Sequence, residues 1–152
     1  ISEKNELNRL GVKNNEIIDI LTDNFWPGAL TIILKSEAQF PNTIQDDLGF
    51  VGFRVPDISF TRNLIKELGN PITGTSANIS GKKESKDISV IKNYFQKGEI
   101  DFYVDLECGK AKYSSTVIKI IDNKFSIIRQ GAIMKKEIIK KVPKLIYSED
   151  LL

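Results

Sequence analysis

An arginine, a cluster of hydroxyls and one amide are the groups in this chain whose spacing could do chemistry. Ser76, Asn78 and Ser80 follow Thr73-Gly74-Thr75 with almost no bulk between them, and Gly81 lets the chain turn sharply afterwards. A strand that ends in such a loop gathers backbone N–H groups and side-chain donors at one place, which suits phosphate, carboxylate or nucleotide oxygens. The same residues also make an ordinary Ser/Asn/Gly connection, and taken alone they favour that reading. Arg54 stands among Phe53, Val55 and Pro56, an apolar setting for a group that cannot lose its charge. Its anionic partner is either Asp57 or another acid of the fold, or else a ligand carboxylate or phosphate. The adjacent carboxylates Asp46 and Asp47 sit on a polar loop and need not face one another, so they receive no catalytic role.

What is missing narrows the chemistry further. The 152 residues contain no histidine, which removes the commonest general base and metal ligand. A single cysteine, Cys108, excludes an internal disulfide and a cysteine-cluster metal site. That leaves carboxylates, lysines, arginines and hydroxyls, with a bound magnesium as a further candidate. Charge is balanced, 22 basic against 20 acidic residues for a net of +2, which argues against a protein built mainly to neutralise a nucleic-acid backbone. No apolar run is long enough to span a membrane and no signal peptide is visible, so the reading points to the cytoplasm. A hydrophobic content of 41% is enough for one domain with a real core over residues 1–152. The chain opens on Ile1 and its only methionine is Met134, so it reads as an N-terminally truncated fragment.

The elements that must position these groups alternate. Glu6–Leu10 and Asn15–Phe25 are predicted helical, with Ile17, Ile18, Leu21 and Phe25 at helical spacing and Asn14 or Asn15 as the cap. Trp26-Pro27-Gly28 must stop the second helix. Residues 29–35 form an apolar strand expected to be buried on both faces, with Thr31 a core threonine bonded to its own backbone neighbourhood. Residues 50–55 form the next strand. Ser59–Leu68 is a helix that turns Leu64, Ile65 and Leu68 inward and stops at Gly69. Residues 72–75 form a short strand, 82–87 a mobile charged loop, and Asp87 caps a helix running to Gly98. Residues 100–106 alternate as a strand, 107–113 are a loop, and 115–121 with 124–129 form a hairpin across Asp122-Asn123. A lysine-rich helix over 134–142 carries Ile138 and Ile139 inward and a solvated basic face outward. Alternation followed by a hairpin predicts an α/β (α+β) fold: a single-domain twisted mixed β-sheet with flanking helices.

Four separated motifs stand in a fixed order: Phe25-Trp26-Pro27-Gly28-Ala29-Leu30-Thr31, Gly52-Phe53-Arg54-Val55-Pro56, Thr75-Ser76-Ala77-Asn78-Ile79-Ser80-Gly81, and Ser115-Thr116-Val117 with Ile128-Arg129-Gln130-Gly131. Together they resemble the YrdC-like family of threonylcarbamoyl-AMP synthases over residues 24–132, in its short form. The resemblance implies condensation of L-threonine, bicarbonate and ATP to threonylcarbamoyl-AMP and pyrophosphate, with magnesium arriving on the ATP. It further implies that the product serves tRNA threonylcarbamoyladenosine modification through a separate tRNA-modifying transferase, with tRNA itself a candidate partner. Carried over by position, Arg54 takes the threonine carboxylate, and Ser76 and Ser115 are hydroxyls around the amino acid. Asn78 and Arg129 contact the nucleotide, Ser85 or Lys86 falls near a further nucleotide contact, and Trp26 and Thr31 are scaffold.

Carbamate attack on the α-phosphorus needs alignment and charge stabilisation more than a protein base, so a site without histidine is no obstacle. Ala29 replaces the usual proline, and Glu107-Cys108-Gly109 stands where many members have an acid and two glycines. The family's P-T-(D/E)-T-x-Y-G and K-x-R segments, the latter holding the triphosphate, are not among these residues, so the natural protein is expected to be longer. Three other readings compete: the YrdC-like domain of a hydrogenase-maturation carbamoyltransferase, a non-catalytic RNA-binding module, and an α/β domain whose loops merely mimic a nucleotide site.

Overall fold

The computed structural model describes residues 1–106, 113–149 and 151. In chain order the elements are α1 (Glu6–Arg9), α2 (Glu16–Phe25), β1 (Leu30–Lys35), β2 (Phe50–Phe53), α3 (Ser59–Leu68), α4 (Ile88–Lys92), β3 (Thr116–Ile121), β4 (Lys124–Arg129), α5 (Lys135–Lys141) and β5 (Ile146–Tyr147). By internal packing the chain divides into two compact units, Ile1–Pro71 with Lys110–Leu152, and Ile72–Gly109.

The larger unit holds a five-stranded mixed sheet in the order β2-β1-β3-β4-β5. β1 runs parallel to β3 and antiparallel to β2, and β3 is antiparallel to β4 in the predicted hairpin. Asp122 takes the left-handed conformation at that turn, φ 55°, which a short polar side chain tolerates. The two-residue strand β5, parallel to β4, was not foreseen; a strand so short leaves no alternation to read.

Side-chain alternation decides which face is core. Leu30, Ile32 and Leu34 of β1 and Thr116, Ile118 and Ile120 of β3 are buried, and Phe125 of β4 and Ile138 of α5 belong to the same core. Each large apolar side chain sealed this way contributes about 1.5–3 kcal/mol. α2 packs over this face through Ile18 and Leu21 and begins where Asn15 Oδ1 accepts the Ile18 N–H at 2.9 Å. The expectation that β1 is buried on both faces is corrected: Thr31 and Ile33 are only partly covered. There the sheet forms the floor of an open groove of about 400 Å³ lined by Thr31, Ile33, Gly52, Val117, Lys119 and Ile128, among others.

Two helices also turn less apolar surface inward than their periodicity suggests. In α3 only Ile65 is buried, while Leu64 and Leu68 are 41% and 54% exposed. In α5 Ile138 is sealed and Ile139 is exposed. Spacing places these residues on one stripe, but the width of the stripe actually covered depends on the neighbouring elements.

In the smaller unit Asp87 caps α4 by accepting the Ser89 N–H at 2.8 Å. The helix ends at Lys92, short of Gly98, since none of its residues is buried and nothing beyond propensity extends it. The predicted strands at 72–75 and 100–106 are both absent. A strand needs a hydrogen-bonded neighbour, and Phe102, Val104 and Leu106, one face of the alternation, are all exposed, Phe102 by 88%. Cys108 and most of the predicted 107–113 loop lie outside the described residues.

Candidate functional site

The junction of β1 and β3 positions the functional groups of the larger unit. In the parallel register Leu30 stands opposite Thr116 and Thr31 opposite Val117, and the Thr116 N–H donates to the Ala29 carbonyl at 3.0 Å. That register brings Ser115, just before β3, beside Thr31, with their hydroxyl oxygens 3.0 Å apart. Thr31 therefore does not bond within its own backbone neighbourhood, as its sequence context suggested; its hydroxyl partner is 84 residues away. From the end of β4, Arg129 folds back onto the same residue. Its Nε and Nη2 donate to the Ser115 carbonyl at 3.2 and 3.0 Å, and Nη2 also donates to Ser115 Oγ at 3.0 Å.

Arg54 enters from the residue after β2. Its Nε donates to the Gly28 carbonyl at 2.7 Å, and the Gly28 N–H donates to Val55 O at 2.9 Å, so the Trp26-Pro27-Gly28 turn and the Arg54-Val55 backbone hold each other. The Trp26–Pro27 peptide is cis. Trp26 is buried as scaffold, its indole N–H donating to Leu30 O at 2.7 Å.

The Arg54 guanidinium resolves one of the alternatives left open by the sequence. Among the described residues it makes no ion pair, with Asp57 or any other acid, and neither of its terminal nitrogens has a hydrogen-bond partner. Burial holds its pKa below the ordinary arginine value; the Asp57 charge raises it, and the Arg129 charge lowers it. The guanidinium is thus half-buried, bonded only to a neutral carbonyl, and lies in the opposing fields of Asp57 and Arg129. A desolvated guanidinium with no acid in direct contact among the described residues costs free energy, which an anion placed against it returns.

Thr116 is the hinge pin beneath this arrangement. Fully buried, its Oγ1 donates to Ile133 O at 2.7 Å and accepts the N–H groups of Gly131 and Ile133 at 3.0 and 2.9 Å. It thereby ties the start of β3 to the turn after β4, fixing Ser115 and Arg129 together. The sequence carried this only as the middle letter of Ser115-Thr116-Val117; burial and the three bonds are tertiary facts. Thr116→Val keeps the volume but leaves three backbone groups unpaired, with an expected loss of about 2–3 kcal/mol. A urea unfolding midpoint equal to the parent's, or one that Thr116→Ser lowers just as far, would contradict that assignment.

Ser76, Asn78 and Ser85 belong to the smaller unit. Ser76 is exposed. The Asn78 amide donates to the carbonyls of Ile79 and Lys82 at 3.3 and 2.8 Å, while its Oδ1 is buried without a donor. Ser85 Oγ accepts the Asp87 N–H at 3.0 Å. An amide whose donors are spent locally and whose acceptor is unmet is set up to receive one further N–H or O–H. Among the described residues no group of three or more His, Cys, Asp or Glu side chains could hold a metal ion, and no helix is long and apolar enough to cross a membrane.

The Sua5/YciO/YrdC family model, described as "Telomere recombination", matches residues 1–131. The chain belongs to the Sua5/YciO/YrdC family. A Methanocaldococcus jannaschii relative is 39% identical over 136 residues, covering 88% of this chain and 61% of its own. The Pyrococcus abyssi threonylcarbamoyl-AMP synthase is 30% identical over 142 residues, covering 93% of this chain and 42% of its own length. Among solved structures, P. abyssi Sua5 complexed with L-threonine superposes with a TM-score of 0.85 at 28% identity, over 97% of this chain and 43% of that one. Escherichia coli YciO follows at 0.73 and 25% identity, over 88% and 65%. The chain therefore spans about two fifths to three fifths of the relatives it matches in sequence here. The YrdC-like mixed sheet inferred from the motifs is the one observed.

Proposed function

We propose that the protein is an L-threonylcarbamoyladenylate synthase that condenses L-threonine, bicarbonate and ATP to threonylcarbamoyl-AMP and pyrophosphate. The observation that carries this reading is the half-buried Arg54 guanidinium, near Arg129 and without an acid partner among the described residues. It agrees with the family membership and with the L-threonine complex of P. abyssi Sua5, a protein of the same fold.

In this reading Arg54 takes the carboxylate of L-threonine with its terminal nitrogens, in the bidentate manner that lysine cannot copy. Ser115 and Ser76 contact the amino acid, and Asn78, Ser85 and Arg129 contact the nucleotide. Bicarbonate gives carbon dioxide, the threonine nitrogen adds to it to form the carbamate, and the proton the nitrogen gives up leaves with the lost bicarbonate oxygen as water. A carbamate oxygen then displaces pyrophosphate from the α-phosphorus. The protein's part is to align the two oxyanions and neutralise them. That is work for fixed guanidinium groups, in a chain without histidine. Magnesium enters as part of the nucleotide substrate. The mixed anhydride then passes to a separate tRNA-modifying transferase in the cytoplasm.

The test is pyrophosphate release by the purified full-length gene product with ATP, magnesium and bicarbonate, with and without L-threonine. Release that requires L-threonine is the expected result. Release independent of threonine, or supported by carbamoyl phosphate instead, would replace this reading with the carbamoyltransferase. Salt-sensitive RNA binding without any turnover would replace it with a binding module.

A further inference from the structure

We infer that Thr31 is a positioning residue: its hydroxyl, bonded to that of Ser115, fixes where the pair presents its one remaining O–H to the amino acid. The inference rests on the proposed contact between Ser115 and L-threonine and adds a residue otherwise read as scaffold.

Hydrogen counting carries the argument. Arg129 Nη2 can only donate, so at 3.0 Å it occupies one lone pair of Ser115 Oγ. Thr31 Oγ1 lies 3.0 Å from the same oxygen, and one of the two hydroxyls must donate to the other. Two hydroxyls carry two hydrogens and their mutual bond uses one. A single O–H is left, with no partner among the described residues, to offer to a ligand acceptor. If Thr31 donates, that remaining hydrogen belongs to Ser115 and its direction is fixed, since Arg129 and Thr31 have taken the other two positions around the oxygen. If Ser115 donates, the free O–H is that of Thr31. In either case the donor exists in one place only because the Thr31 hydroxyl is there.

The surroundings support a working rather than a packing role. Ser115 is 6% exposed and held at its carbonyl by Arg129, so its side chain has little freedom except hydroxyl rotation. Thr31 is only partly buried, on the open face of β1, and lines the groove with Gly52 and Val117. A threonine needed only for strand propensity or volume at that position would be served equally by valine.

The test compares Thr31→Val, Thr31→Ser, Ser115→Ala and the double variant Thr31→Val/Ser115→Ala, by threonine-dependent pyrophosphate release and by calorimetric titration with L-threonine. Expected for Thr31→Val is a KM and Kd for L-threonine raised about three- to tenfold, with kcat within about twofold and the melting temperature unmoved. Thr31→Ser should restore both constants, and the double variant should lose little more than Ser115→Ala alone. If Ser115→Ala weakens threonine binding but Thr31→Val does not, or if Thr31→Ser fails as badly as valine, the inference for Thr31 is overturned and the role of Ser115 stands. If Ser115→Ala itself leaves threonine binding intact, the Ser115 contact falls and Thr31 falls with it.

Discussion

Arg54→Ala is expected to lower threonine-dependent pyrophosphate release by about 30- to 1,000-fold, and Arg54→Lys by nearly as much. The figure corresponds to the loss of one partly desolvated charged contact, about 2–4 kcal/mol. What makes the prediction specific is its stability counterpart. In the folded protein this side chain is half-buried, makes one hydrogen bond to the Gly28 carbonyl at 2.7 Å, and feels attraction from Asp57 and repulsion from Arg129. Removing it forfeits a bond of about 1 kcal/mol and relieves the desolvation of a half-buried charge, a cost of comparable size. Activity should therefore collapse while the urea unfolding midpoint stays put or rises. The lysine variant separates charge from geometry: an ammonium supplies the same net charge but neither the fork nor the Nε donor that reaches Gly28. Activity within about threefold of the parent in Arg54→Lys would show that a point charge suffices. A large destabilisation in Arg54→Ala would make the residue structural.

Gly131→Ala is the second large effect and falls on the fold and the site together. A Cβ built on Gly131 would lie 2.3 Å from Ser114 O and 2.5–2.6 Å from the Ser115 carbonyl group, all backbone atoms that cannot swing aside. Relief requires moving the β4 exit away from the β3 entry, which breaks the Ala132 N–H bond to Ser114 O at 2.9 Å and strains the Thr116 bonds to Gly131 and Ile133. A loss of about 3 kcal/mol is expected. Because Arg129 reaches Ser115 across this contact, threonine affinity should fall as well, in the fraction that remains folded. A parent-like midpoint in denaturant, with parent-like threonine affinity, would mean that the turn accommodates a side chain and does not set the spacing of Ser115 and Arg129. The reason for glycine here is close approach: Gly131 is not among the positive-φ glycines.

Local rules were sufficient wherever an element is made by its own neighbours. Asn15 and Asp87 cap the helices that follow them, Gly69 terminates α3 in the left-handed conformation, and Asp122-Asn123 turns the hairpin, because each of these is decided within a few residues. The motif order likewise named the family. Local rules failed where an element needs a partner distant in sequence. Residues 100–106 have the alternation of a strand and residues 72–75 its β-branched content, yet neither has a ladder neighbour, and both remain irregular. α3 and α5 have broader apolar stripes than their surroundings cover.

The site divides along the same line. The sequence by itself determined which charges and hydroxyls are available, that histidine chemistry is excluded, and that an arginine sits in an apolar stretch. Tertiary structure decided what they are to one another. It bonds Arg54 to a carbonyl and leaves it without an acid among the described residues, and it folds Arg129 back onto Ser115. It also gives Thr31 a hydroxyl partner and makes Thr116 a three-bond pin. Those relations follow from the parallel register of β1 and β3, which brings together residues more than eighty positions apart; no periodicity within either strand encodes such a register.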